Sequence, residues 1–351
     1  MRKSDRGRRL KAEMKKKNNK VLIIAEAGIN HMGNLDVAKK LVDLAKSAQV
    51  DIVKFQMFVT SNLATEYASK ADYQKSNIDD TKTQHEMLKE LEFNKEEWLE
   101  LFNYCIYKKI EFLSTAFDAQ SLLFLVNMGM KRVKIPSGEI TNLPFLQLVG
   151  SLNLPTILST GMSSLEEVSE AVEILLNSGL DEKQLTILHC TSEYPTPYER
   201  ANLNSIRTLQ GNFNFPIGYS DHTLGFEASL VAVGLGATII EKHFTLSSYL
   251  PGPDHKSSLT GDSLKEFVKY VRNAESAMGS LKKEPTIEEI NMRVIARKSI
   301  VAKTSIQIGE EFSILNLDFK RPGDGISPMK MEELIGKKAT KNFKKDEQIT
   351  L

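Results

Sequence analysis

Cysteine is scarce. Cys105 and Cys190 are the only two in 351 residues, too few for a disulfide framework and without C-x-x-C spacing, so a reducing cytoplasm is the expected compartment. Charge of one sign is also missing: 46 basic side chains face 45 acidic ones, a net +1 that gives no global pull toward nucleic acid or membrane. No long apolar run exists. The longest charge-free stretch, Ile140 to Leu165, is broken by Pro144, Gly150, Pro155 and Gly161 and cannot serve as a membrane span. The N-terminal charges are not followed by the apolar core an export signal needs. A P-loop, a G-x-G-x-x-G after a strand and a G-x-S-x-G elbow are likewise lacking, which disfavours nucleotide-dependent phosphoryl transfer and serine hydrolysis.

The composition is that of an ordinary globular protein, 41% hydrophobic and 26% charged, on a chain long enough for a large domain and a small one. Residues 1–20 stand apart. They carry ten basic and two acidic side chains, a net +8 that leaves the remainder at −7, and read as a solvated, disordered tail with no assigned function. From Val21 to about residue 281, eight β-branched runs alternate with helical patterns: VLIIAEAGIN, DIVKFQ, IEFLSTAF, RVKIPSGE, PTILSTGM, LTILHCTS, FPIGYSDHT and ATIIEKHFT. Most are continuously apolar before turning polar, as strands covered on both faces are. Helical spacing links Val37, Leu41, Leu44 and Ala48, and again Leu165, Val168, Val172 and Leu175 behind a Ser164/Glu167 capping box. Leu264 to Met278 forms a closing amphipathic helix that stops at Gly279. Eight strand-helix units predict a (β/α)8 TIM barrel over 21–281. The polar Tyr67–Met87 insertion is expected to form a loop over its mouth. Residues 282–291 read as a charged linker, and 292–351, with KSIVAKTSI, IGEEFSI and LNLDFKRPG, as a small β-rich domain.

Polar residues appear where those strands end: Glu26; Lys54 and Gln56; Thr115; Lys134, Ser137 and Glu139; Ser159; Ser220, Asp221 and His222; Glu241 and His243. A barrel gathers strand C-termini on one face, the face that carries the chemistry. Singly, each could be a strand-end cap; as a set they read as a site. Lys54 and Lys134 lie in apolar strands, where an ammonium needs an anionic partner. That partner is Glu26, Glu139 or Glu241, or a bound small dianion cradled by lysines and hydroxyls, which is the preferred reading. His222 and His243 end neighbouring strands and could share one divalent ion with open coordination positions. His31, His189 and His255 read as structural or substrate-facing, and Cys190 as a packed thiol.

These residues resemble the sialic acid synthases. The likeness rests on IIAEAGINH, VKFQ, FLSTAFD, KIPSGE, LSTGMSS, HCTSEYPTP, GYSDHT, EKHFT, PGPDH and KRPGDGISP, in family order from Val21 to the C-terminus. The resemblance implies a TIM barrel followed by an antifreeze-like (SAF) domain, assembled as a domain-swapped homodimer. It implies His222 and His243 as ligands of a divalent metal, Mn2+ first, with Mg2+ or Co2+ as substitutes. Lys54, Thr115, Lys134, Ser137, Ser159 and Ser220 would contact phosphoenolpyruvate. Gln56, Glu139, Tyr194 and Asp254 would hold an N-acetylated amino sugar, with Arg321 of KRPGDG arriving from the other subunit. Glu26 resembles a strand-one carboxylate near the reacting centre, and Glu26 or Glu139 is the expected proton carrier. Ala116 stands where the family commonly has proline, and Gln49-Val50 where a glycine-alanine pair is frequent; neither change removes a functional side chain.

The implied reaction joins phosphoenolpyruvate, N-acetylmannosamine and water into N-acetylneuraminate and phosphate. The rival is legionaminate synthesis from 2,4-diacetamido-2,4,6-trideoxymannose. A phosphorylated sugar should fail for want of a further basic site. A different class, a non-catalytic carbohydrate-binding protein on an inactive barrel, is countered by the intact strand-end set.

Overall fold

In a computed structural model the described residues are 20–70 and 83–351; the basic tail, apart from Lys20, and the middle of the Tyr67–Met87 insertion lie outside them. Eight parallel strands close a barrel in sequence order: β1 Leu22–Gly28, β2 Ile52–Met57, β3 Glu111–Ala116, β4 Val133–Ile135, β5 Thr156–Ser159, β6 Leu185–Cys190, β7 Ile217–Asp221 and β8 Ile239–His243. Each predicted run contributes one strand. RVKIPSGE gives only three residues of strand, because Pro136 offers no N–H to a ladder and Ser137–Glu139 turn into a 3-10 helix.

The three helices read from periodicity form at Leu35–Ser47, Leu165–Asn177 and Gly261–Met278. The Ser164/Glu167 capping box is present in both directions. Arg272 in the closing helix ties the first strand down: its guanidinium donates to Asp51 at 2.6 Å and to the Val21 carbonyl at 2.7 Å, while Asp51 accepts from the Ile23 N–H at 2.9 Å. The barrel core is aliphatic and aromatic, with Ile23, Leu41, Ile52, Phe55, Leu146, Ile187 and Phe267 fully buried.

The chain divides into two compact units, 1–279 and 280–351. The expected linker 282–291 is not all linker. Thr286 and Glu289 form a reciprocal capping box that starts a helix at Ile287–Ala296, a signal of the same kind as Ser164/Glu167. In the C-terminal unit β9 Ser299–Ala302 pairs antiparallel with β10 Leu317–Lys320 over a small core of Ile300, Ile306, Phe312, Leu334, Phe343 and Ile349. IGEEFSI adds a single bridge, Glu311 to Lys338, rather than a strand. Among the described residues no helix is long and apolar enough to cross a membrane.

Candidate active site

Strand alternation aims Glu26, Lys54, Gln56, Thr115, Lys134, Ser159, Ser220, Glu241 and His243 into the barrel mouth. Register brings them level, with Glu26 opposite both Lys54 and His243, Thr115 opposite Lys134, and Ser220 opposite Glu241. They line one cavity of about 450 Å³, together with Ser137, His222, Tyr194 and Asp254. Gly28 lets the backbone turn close beside the polar side chains. Its φ of +53° is a left-handed conformation, and a side chain there would meet Gln56 Nε2 at 3.2 Å, Glu26 Oε1 at 3.4 Å and Asp254 Oδ2 at 3.6 Å.

The floor is a buried charge cluster. Lys54 Nζ lies 3.0 Å from Glu26 Oε2 and 3.4 Å from Glu241 Oε2, and donates to Thr115 Oγ1 at 3.1 Å. Lys134 Nζ donates to Ser159 Oγ at 2.7 Å and stands 3.4 Å from Glu241 Oε1. Ser220 Oγ donates to that same oxygen at 3.0 Å, and Gln56 Nε2 donates to Glu26 Oε1 at 2.8 Å. The internal pairing left open on sequence is therefore real, through Glu26 and Glu241, and both lysines still face the cavity.

The two lysines differ electrically. Burial opposes the charge on Lys54, but Glu241 and Glu26 on either side hold its pKa above the ordinary value. Burial prevails over Glu241 at Lys134, whose pKa is lowered. Burial alone would raise Glu241, yet the ammoniums of Lys134 and Lys54 bring it down to about 2. At Glu26 burial outweighs the Lys54 ammonium, and with the Glu241 charge it lifts the carboxyl above its usual range. Asp254, buried and facing the Glu26 charge, is pushed up to about 7. A carboxyl with a raised pKa can carry a proton near neutral pH.

His222 and His243 stand with ring centroids 5.6 Å apart, and the Tyr194 ring lies 4.1 Å from His222. Burial lowers His222 to about 4 and, reinforced by His222 and Lys54, drives His243 well below its ordinary value, so both imidazoles are neutral. His222 Nδ1 donates to the Thr191 carbonyl at 2.6 Å, which leaves Nε2 the unprotonated nitrogen, 3.4 Å from Ser220 Oγ. His243 Nδ1 is buried without a hydrogen-bond partner, 4.0 Å from Asp254 Oδ2. Two neutral imidazoles with an orphaned nitrogen fit an open divalent-ion site. No group of three His, Cys, Asp or Glu side chains suited to a metal occurs among the described residues, so an ion here would keep positions for water and substrate.

One of the expected site residues stands outside the lining of this cavity. Glu139 does not line it; in the 3-10 turn Ser137–Glu139 it is Ser137 that lines the cavity, while Glu139 Oε2 accepts from Asn142 Nδ2 at 2.5 Å. Arg321 belongs to the C-terminal unit, where its Nε donates to the Ala296 carbonyl at 3.0 Å. His31 and His255 are buried away from the cavity, His31 against the Phe93 ring at 4.2 Å and His255 on Thr245 Oγ1 at 2.7 Å. His189 is held by the Ala201 carbonyl at 2.8 Å. Cys190 packs 3.3 Å from Ser137 Oγ and also lines the cavity. Sequence reasoning missed the apolar lining from Phe58, Leu63, Leu88 and Phe117. Leu88 could have been found from the Thr83/Glu86 capping box that opens its helix, Gln84–Leu91.

Comparison with known proteins agrees with this geometry. Residues 41–283 match the model of the NeuB family, and 297–351 that of the SAF domain. The N,N'-diacetyllegionaminic acid synthase of Campylobacter jejuni is 47% identical over 94% of this chain and 99% of its own length. That of Legionella pneumophila is 45% identical, covering 92% of this chain and 91% of its own. The crystal structure of N-acetylneuraminic acid (sialic acid) synthetase from Leptospira borgpetersenii, in complex with citrate, superposes with a TM-score of 0.69 at 36% identity, over 78% of this chain and 92% of that one.

Proposed function

This chain belongs to the NeuB family, and we propose that it condenses phosphoenolpyruvate, water and 2,4-diacetamido-2,4,6-trideoxymannose into N,N'-diacetyllegionaminate and phosphate. The general class, a transferase that joins phosphoenolpyruvate to an amino sugar, follows from that membership and leaves no room for a binding-only barrel. The choice of sugar is carried by one observation: relatives at 47% and 45% identity, over more than nine-tenths of both chains, are N,N'-diacetyllegionaminic acid synthases. That favours the rival reading of the sequence over N-acetylmannosamine and N-acetylneuraminate.

The residues have roles that balance the reaction. Lys54 and Lys134, with Thr115, Ser137, Ser159 and Ser220, hold the carboxylate and phosphate oxygens of the donor. Gln56, Tyr194 and Asp254 orient the open-chain sugar so that its aldehyde carbon faces the donor's methylene carbon. A divalent ion, Mn2+ first, held by His222 and His243 would supply Lewis acidity at the aldehyde oxygen. The new carbon-carbon bond leaves positive character at the enol carbon. Glu26 takes one proton from the water that adds there and passes it to the former aldehyde oxygen, which becomes a hydroxyl; the tetrahedral intermediate then breaks its bond to the bridging oxygen, and phosphate leaves with that oxygen and the remaining water proton, helped by the two ammoniums. Charge developing on the leaving phosphate is met by groups already in place, which is where electrostatic preorganisation acts.

A homodimer in which the partner subunit's Arg321 meets an acetamido group is part of the same proposal. Sedimentation of the full chain together with the sugar KM of Arg321→Ala tests it: a dimer and a raised KM are expected, and a monomer with an unchanged KM would refute it. The sugar assignment is tested by incubating the protein with phosphoenolpyruvate, Mn2+ and each sugar in turn while following phosphate release. Turnover is expected with the diacetamido-trideoxy sugar ahead of N-acetylmannosamine and none with a 6-phosphorylated sugar. The reverse order would restore the N-acetylneuraminate reading, and silence with every N-acetylated amino sugar would reject both.

A further inference from the structure

The cavity is polar on its floor and apolar on one wall. Floor residues come from strand ends. The wall comes from the segments after β1, β2 and β3: Ile29, Phe58, Leu63, Ala64 and Phe117, closed by Leu88 from the helix Gln84–Leu91. These side chains are not an extension of the barrel core. Ile29, Phe58, Met87, Leu88 and Leu91 form a separate hydrophobic cluster, with Leu63, Ala64 and Phe117 packed against it.

The wall is also built to stay in place. Phe58 and Phe117 meet edge to face at 6.3 Å. The short helix Thr60–Leu63 is clamped by Glu92, whose Oε2 accepts from the Thr60 N–H at 3.1 Å and from Thr60 Oγ1 at 2.7 Å. Hydrogen bonds to Thr60 outweigh partial burial and keep the Glu92 pKa below its usual range, so the clamp is ionised at neutral pH. Gln56, two residues before Phe58, already points into the cavity beside Glu26, so the wall begins where the polar floor ends.

A surface of this kind discriminates between sugars. A hydroxymethyl or ring-position hydroxyl pressed against it loses its hydrogen bonds to water and finds none in return. A methyl or acetamido methyl in the same place removes apolar area from water and gains. We propose that the wall of Phe58, Leu63, Ala64, Leu88 and Phe117 is the specificity-determining surface for the acceptor, and that it takes the methyl-bearing end of a deoxygenated, N-acetylated sugar. This rests on the amino-sugar condensation proposed above and adds which side chains read the acceptor.

The test measures kcat/KM for 2,4-diacetamido-2,4,6-trideoxymannose and for N-acetylmannosamine, with saturating phosphoenolpyruvate, in the full-length wild type, Leu63→Asn and Leu88→Asn. The half-buried Leu63 serves as the milder variant should Leu88→Asn fail to fold. Expected is a wild-type preference for the deoxy sugar that falls about tenfold in Leu63→Asn, the size one methyl group carries in an apolar pocket, with the KM for phosphoenolpyruvate unchanged. A preference that survives in the folded variants, or a loss equal for both sugars, would overturn the assignment of the wall while leaving the reaction intact. A wild type that turns over neither sugar would instead bring down the condensation reading itself.

Discussion

Two buried charge clusters meet at β8, where the adjacent residues Glu241 and Lys242 serve opposite faces of the strand. Facing outward, Lys242 pairs with Asp221 at 3.2 Å and also donates to the Thr223 carbonyl; Asp221 in turn accepts from the Thr223 N–H, Thr223 Oγ1 and Ser229 Oγ. Facing inward, Glu241 and Glu26 share Lys54, whose ammonium is the one partner among the described residues for Oε2 of each, at 3.4 and 3.0 Å, and both residues line a cavity. The chemistry of the side chains is the same, and what differs is completion. A closed pair fixes the strand ends that carry His222 and His243. An unfinished cluster keeps charge available for a ligand, and a buried polar group left short of partners is more telling than a satisfied one.

Breaking the closed pair should have the largest effect. Lys242→Met strands the Asp221 carboxylate among apolar neighbours, and thermal or denaturant unfolding should show a loss of about 3–5 kcal/mol. Lys242→Met combined with Asp221→Asn should recover part of it; a single variant as stable as the wild type would mean the pair is not structural. Opening the inward cluster should do the reverse. Lys134→Met is expected to raise the KM for phosphoenolpyruvate by about a hundredfold, the range for truncating one partner of a buried charged contact, with a smaller change in stability because Glu241 keeps Lys54. An unmoved KM would remove Lys134 from the donor site.

A buried group with no ionic partner sharpens the contrast. Burial depresses the His31 pKa from 6.5 to about 3, so between those values the unfolded chain binds a proton that the folded one refuses. Its contribution is whole above pH 6.5 and is lost as pH falls toward 3, by at most about 1.4 kcal/mol per pH unit. His31→Leu should flatten that part of the stability profile; an unchanged slope would show that His31 is not held neutral. The smallest effect is expected at Glu139→Gln. Its carboxylate serves Asn142 rather than the cavity, so kcat/KM should change less than threefold, and a loss of a hundredfold or more would return Glu139 to the chemistry.

The barrel is legible in the sequence because each strand pairs an apolar run with a polar end, and because parallel closure leaves one place for those ends to meet. Lys54, Lys134, His222 and His243 emerge this way without any contact being known. Ser137 and Glu139 share a short 3-10 turn beyond the strand, where strand alternation no longer says which side chain faces the cavity. The helix Ile287–Ala296 is hidden by its charged surroundings although Thr286 and Glu289 announce it. The apolar wall is the hardest feature to read. Ile29, Phe58 and Leu88 look like core residues in sequence, and only packing shows that they form a second cluster over the barrel mouth.

The central claim is that two ammoniums and two imidazoles, scattered from Lys54 to His243, serve one pocket. A crystal structure of the wild-type protein with phosphoenolpyruvate and Mn2+ tests it most directly. Expected are donor oxygens within about 3 Å of Nζ of both Lys54 and Lys134 and a single metal peak bonded to both His222 and His243. Phosphoenolpyruvate bound away from the two lysines, or a metal that ignores the two histidines, would contradict it.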